Sequence, residues 1–264
     1  MEYEFKKIEV SSIKKVLVLF KLVYPGETKF TEEYLHWLYF QNPFGNVIGY
    51  NAYDDDEVIA HYAVIPIIDA NGELCVLSLN TATSSEHTGK GLFTKLAKRT
   101  YQLVEKANYS KIIGIANQNS IYGFVNKLDF TQLGHVNLSI IIRSMLHESL
   151  IKNFIVGIDS LWKLKNPSVQ YYVSERFGYQ IIFTKKKGFY VILAAVSQEL
   201  NIDIPLKKIP FPIMCFLPYF NHSSYNVGIR ISNKLLPSPW HVISRSANSV
   251  DSDVKLFGIH MDTF

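Results

Sequence analysis

Hydrophobic and polar positions change period several times along this chain, and each change marks an element. Tyr3 to Val10 alternates loosely and predicts a first strand; Ser11 or Ser12 can then cap a helix to about Val23, stopped by Pro25-Gly26. Thr31, with Glu32 and Glu33, opens a second helix through TEEYLHWLYF that ends before Asn42-Pro43. Two apolar runs, Val47 to Tyr53 and Val58 to Ile68, flank the acidic joint Asp54-Asp55-Asp56 and predict an antiparallel hairpin. The turn Ala70-Asn71-Gly72 leads into a strand over 73–83. From Gly91 to Lys106 the period becomes helical, with Leu92, Phe93, Leu96, Ala97, Tyr101, Leu103 and Val104 forming one broad stripe. Ser110 to Ala116 is the next strand, which completes a β-α-α-β-β-β-α-β-α order once the following helix is counted.

Beyond about residue 145 the pattern weakens. Asp159 to Lys165 reads as helical, Tyr179 to Phe183 and Phe189 to Val196 as a hairpin around Lys185-Lys186-Lys187-Gly188, and Phe211 to Phe220 and Trp240 to Ser244 as further strands. This hairpin-then-strand order echoes the first half, as a degenerate second unit would. The expectation is therefore an α/β chain: residues 1–145 with a mixed central sheet flanked by helices, and residues 146–264 as a smaller α+β half. A length of 264 residues suits that division, since one domain takes about 100 to 200.

Composition narrows the class. A hydrophobic share of 48% is enough for a large core, which excludes a disordered chain. A formal charge of +4 is small and dispersed; it suits anionic small molecules and does not imply nucleic acid. Cys75 and Cys215 lie in apolar runs without metal-ligand spacing, so buried reduced thiols are expected and no metal. MEYEFKKIEV has charges where a leader would be apolar, and the lysines of IKKVLVLFKLV argue against a membrane span. A cytoplasmic protein is the expectation.

The candidate chemistry concentrates in CVLSLNTATSSEHTGKGLF, residues 75–93. A strand enters a short polar loop, Ser84 to Gly91, and leaves as a helix whose start holds Gly89, Lys90 and Gly91. Glycines at positive φ let backbone N–H groups converge, and the unsatisfied N–H groups of a helix start favour a phosphate or pyrophosphate. A P-loop needs an upstream glycine and a Ser or Thr after the lysine, and neither is present. A dinucleotide fingerprint wants a third glycine where Thr94 stands, and an acid where the next strand ends in Asn117.

The loop Glu86-His87-Thr88-Gly89-Lys90-Gly91, the helix LFTKLAKRTYQLVEKA, the strand SKIIGIA and the segment NQNSIYGFVNKLDF together resemble the Gcn5-related N-acetyltransferase (GNAT) superfamily. The resemblance covers residues 1 to 140 or so. It implies a GNAT-type sheet and acyl-CoA as co-substrate, held at Thr81, Ala82 and Thr83, at His87, Thr88, Gly89, Lys90, Gly91 and Leu92, and at Asn117, Asn119, Ser120 and Phe124. Three positions depart from the pattern: Glu86 for Gln or Arg, Thr88 for a basic residue, and Asp129 for glycine. A fourth departure concerns the chemistry: Val125 stands where the family has its acidic tyrosine, so protonation of the leaving thiolate has no inherited owner.

Within that superfamily, YLHWLYFQNPFG and HMDTF look similar to enzymes that acylate amino sugars attached to a nucleoside diphosphate. The acyl group would be acetyl or 3-hydroxybutanoyl. For the chemistry, His61 is a candidate base or a hydrogen-bonded core histidine, Tyr122 a replacement acid or a packing aromatic, and Asn80 an orienting group. Trp37, Tyr39 and Asn42 would either meet the acceptor or pack in the core; Arg230, Trp240 and His241 would meet its pyrophosphate or base, and Asp262 its hydroxyls unless it is a tail residue. Two other readings stay open: transfer to a protein or small-molecule amine, and a non-catalytic CoA-binding module.

Overall fold

The computed structural model describes residues 3–69, 72–200, 202, 204, 206–221, 228–235, 239–246 and 254–261. Ala70 and Asn71 of the expected turn, and Asp262, lie outside them. The first half runs β1 (Glu4–Lys7), α1 (Ile13–Val23), α2 (Glu32–Phe40), β2 (Ile48–Asp54), β3 (Glu57–Ile68), β4 (Leu74–Thr83), α3 (Leu92–Lys106), β5 (Lys111–Ala116), α4 (Ile121–Lys127), β6 (Thr131–His135) and β7 (Asn137–Ile142). The rest runs α5 (Glu148–Lys152), β8 (Tyr172–Arg176), β9 (Tyr179–Lys186), β10 (Phe189–Ser197), β11 (Lys207–Lys208), β12 (Met214–Asn221), β13 (Ile229–Ile231), β14 (His241–Ser246) and β15 (Lys255–Phe257). The expected helix at 159–165 is a 3-10 helix, Ile158–Lys165.

Local chemistry explains the boundaries. Thr31 caps α2 by accepting from the Tyr34 N–H at 3.0 Å. Ser12 leads into α1 without a side-chain cap; its hydroxyl instead donates to the Glu9 carbonyl at 2.7 Å. The stripe on α3 buries Leu92, Leu96, Ala97, Tyr101 and Val104 against one face of the first sheet, while α1 and α2 cover the other with Phe20, Tyr34, Leu35 and Leu38. Each such side chain contributes roughly 1.5–3 kcal/mol on full burial.

The strands form a seven-stranded sheet, β1-β2-β3-β4-β5-β14-β6, and an eight-stranded one, β11-β8-β9-β10-β12-β7-β13 with β15 beside β12. From β2 and from β8 onward both repeat one plan: an antiparallel meander, a parallel pair (β4 with β5, β10 with β12), then two antiparallel strands; the edge strands differ, β1 joining antiparallel and β11 parallel. The penultimate strand of each sheet comes from the other half. β7 follows β6 directly but joins the second sheet, and β14 follows β13 but sits between β5 and β6 of the first. In the second sheet, among the described residues, no helix corresponding to α3 links the parallel pair, and no glycine-bearing helix start stands there.

Candidate active site

In the first sheet β4 and β5 pair only over Val76, Leu77 and Ser78, opposite Ile112, Ile113 and Gly114. Past that point they part. The cause is visible in the β3–β4 register, where His61 faces Ala82 but Ala63 faces Leu79, so β4 carries one extra residue. Asn80 sits in this bulge at φ 52°, and bulges turn a strand away from its partner. The result is a cavity of about 510 Å³ between the strands. Its walls are Asn80 to Thr83 on one side, Ile115, Asn117, Asn119 and Ser120 on the other, with Phe93, Gly123, Phe124 and Trp240 closing it.

At the α3 start, Gly89 and Gly91 have φ of 76° and 73°, and a Cβ built on either would meet no atom within 4 Å. Open space before the N–H groups of a first helical turn is a geometry that suits an anion. His87 takes a different place. Its Nδ1 lies 3.2 Å from the Tyr3 hydroxyl and its Nε2 3.8 Å from Asp54, so it moors the loop to the sheet. The side chain of Thr88 donates to the Ser85 carbonyl at 2.8 Å, and that of Leu92 is buried under the helix. Asn117 accepts from the N–H groups of Asn119 and Ser120, both at 3.0 Å, and so shapes the turn into α4.

The candidate catalytic residues are arranged unlike the sequence expectation. His61 is fully buried, and burial pushes its pKa down to about 3. Its Nδ1 is 2.7 Å from Asn51 Oδ1 and its Nε2 3.0 Å from the Tyr39 hydroxyl, which in turn accepts from Asn80 Nδ2 at 3.1 Å. His61 therefore reaches the cavity only through Tyr39 and Asn80. Tyr122 is 64% exposed and does not line the cavity. Tyr24 does, although the sequence signalled it only as the last residue before a helix stop. Its hydroxyl donates to the Thr81 carbonyl in the bulge, and burial raises its pKa.

The acceptor-binding candidates fall in several places. Trp37 packs on Trp162 with ring centroids 5.2 Å apart, Tyr39 is fully buried, and Asn42 is spent on a turn, donating to the Pro66 carbonyl at 2.7 Å. None of the three lines the β4–β5 cleft, although Trp37 is in the wall of a separate cavity described below. Arg230 is exposed on β13 of the second sheet, away from the cavity. His241 is buried beside His135, with ring centroids 4.6 Å apart; burial first, then His135, lowers its pKa. Trp240 alone of this group lines the cleft.

A second chamber of about 290 Å³ lies across the bulge and shares Tyr24, Ser78, Asn80 and Asn117 with the first. Glu27, Lys29 and His260 line its far side, and no sequence signal marked them. Among the described residues no cluster of three metal-ligating side chains occurs, and no helix is long and apolar enough to cross a membrane.

No protein-family model and no curated protein matches this chain. Solved structures do. A GCN5-related N-acetyltransferase from Anabaena variabilis superposes with a TM-score of 0.60 at 12% identity, covering 94% of this chain and 73% of that one. A protein of unknown function from Enterococcus faecalis V583, described as a probable N-acyltransferase, gives 0.59 at 12%, covering 93% and 73%. A candidate acetyltransferase from Pyrococcus horikoshii gives 0.56 at 9%, covering 97% and 93%. A split parallel pair beside a glycine-led helix, matched over both halves, gives this chain the fold of the GCN5-related N-acetyltransferases.

Proposed function

We propose that this chain moves a short acyl group, acetyl or 3-hydroxybutanoyl, from acyl-CoA to the amine of a nucleotide-linked amino deoxysugar. The observation that carries the reading is the pair of chambers meeting at the β4 bulge. One has Thr83 and Phe93, on either side of the glycine loop, in its wall and fits a pantetheine arm; the other, walled by Glu27, Lys29 and His260, leaves room for an acceptor. Residues 1–145 would hold the acyl-CoA, and residues 146–264 would cover the acceptor, His260 and Trp240 reaching back to the shared point. Two buried free cysteines, each thiol pushed up to about 12, suit the reducing cytoplasm in which acyl-CoA is found.

The chemistry is direct attack. The nitrogen of the neutral amine bonds to the thioester carbon as the C=O electrons move to oxygen, the resulting N–H⁺ passes one proton to water, and the tetrahedral oxyanion collapses by breaking the C–S bond to release the CoA thiolate. Beyond Ser78 the β4 edge has no partner strand on the β5 side, so its backbone N–H groups are placed to receive the oxyanion. Tyr24 keeps its proton at neutral pH and stands at the bulge, so it is our candidate to protonate the thiolate, the role left open by Val125. His61 acts as a positioning residue, fixing Asn80 through Tyr39. Holding both substrates at one point supplies much of the remaining acceleration.

Thiol release from acetyl-CoA and 3-hydroxybutanoyl-CoA, measured against a panel of free and nucleotide-linked amino sugars, tests the reading. Turnover confined to nucleotide-linked amines is the expected result. CoA binding with no turnover on any amine would leave a binding module instead.

A further inference from the structure

A third cavity, of about 240 Å³, lies where the turn after α1 meets β8, β9 and the 3-10 helix Ile158–Lys165. Lys29, Lys163, Lys185 and Lys186 line it, and among the described residues Glu27 is the one carboxylate in its wall. It shares Glu27 and Lys29 with the acceptor chamber, so the two are neighbours with those side chains between them. The cationic wall is built from both halves and is braced. Lys163 is 6% exposed and lies 5.8 Å from the Trp162 ring; Lys185 stands between Tyr172 and Tyr190, 5.5 and 4.6 Å from their centroids; and the Ser168 hydroxyl donates to the Lys29 carbonyl at 3.4 Å.

Ammonium groups gathered around a walled concavity focus a positive potential there. That field attracts a multiply charged anion and repels the cationic flank of a lysine-bearing peptide. We propose that this cavity binds the diphosphate of the acceptor, with Lys29, Lys185 and Lys186 as the residues that select it. No bond is made or broken there; the anchor holds one end of the acceptor while its amine, at the other end, enters the chamber beside Tyr24. The proposal rests on the acyl-transfer reading for the direction of the amine. The anion site itself can be measured without it.

The test is calorimetric titration of the full chain with dTDP, with UDP and with inorganic pyrophosphate, first with CoA saturating the α3 site and then without CoA. Expected are binding of both nucleotides to the CoA-loaded protein, weakening as salt rises, and displacement by pyrophosphate. The variants Lys29→Gln and Lys185→Gln/Lys186→Gln should each lose at least about tenfold in nucleotide affinity, with CoA affinity unchanged as the check that they are folded. No nucleotide binding in the presence of CoA, or affinities indifferent to these lysines, would overturn the site. A protein that binds nucleotide through these lysines but does not bind CoA would keep the anion site and remove the acyltransferase reading.

Discussion

A neutral imidazole joins the core to the cleft. Because Asn51 Oδ1 can only accept, His61 Nδ1 carries the proton, Nε2 accepts from the Tyr39 hydroxyl, and Tyr39 is left to accept from Asn80. Protonating the ring would break that order. Burial holds the folded pKa near 3, against about 6.5 in the unfolded chain. Between those values the unfolded chain binds a proton that the folded one does not, so this stabilisation is whole above about pH 6.5 and drains as pH falls toward 3. Unfolding free energies from denaturant titrations across that window should fall by on the order of 1 kcal/mol per pH unit from this group. In His61→Gln the slope should be shallower, and an unchanged slope would refute the argument. At Tyr24, the phenylalanine variant should lower kcat for thiol release about 100-fold with CoA affinity intact. Since burial raises its pKa from 10, Tyr24 adds no pH dependence between pH 6 and 9; wild-type kcat in Tyr24→Phe would remove it from the acid role. The two glycines were legible in the sequence because few residues tolerate their φ. Tyr24 was not, since its partner Thr81 lies 57 positions away. For Trp37 and Tyr39 two readings stayed open for a related reason: a helical stripe of aromatics reads the same whether it faces a core or a ligand.

Two irregular elements make the cleft, and each departs from ideal geometry at one place. The extra residue of β4 parts it from β5, and the left-handed Gly91 lets α3 begin where the loop turns back. Gly91→Val adds a β-branched side chain at φ 73° with no neighbour to strike, so its penalty is conformational, roughly 1–2 kcal/mol, plus the bulk it sets in the ligand's space. CoA affinity should drop at least about tenfold while the unfolding midpoint moves much less. An unaltered dissociation constant would place CoA elsewhere. Element order and the α3 stripe were open to sequence reading because period and turn chemistry are local. The bulge was not, since a bulge is a relation between β3 and β4 and neither strand alone records it.

Across the whole molecule, the two halves do not divide the folding, since each sheet takes a strand from the other half. β14 is hydrogen-bonded on both sides, to β5 from His241↔Ala116 to Ser246↔Lys111 and to β6 through four residues of each strand. A fragment ending at residue 145 lacks it and leaves β5 with an unpaired edge against β6. Such a fragment should aggregate or show no cooperative thermal transition, while the full chain shows one. A sharp transition in the fragment would make the exchange dispensable. Sequence reading found β14 as a strand and assigned it to the nearer half, because pairing between distant strands leaves no local mark. The exchange also sets an order of events at the ribosome. At about 5–20 residues per second, His241 emerges roughly 5 to 20 s after His135, so the nascent first sheet waits with a gap in its middle. A chain cut short before that strand would carry Gly89, Gly91, Asn117 and Asn119 on a first sheet in which β5 has no neighbour on its far side.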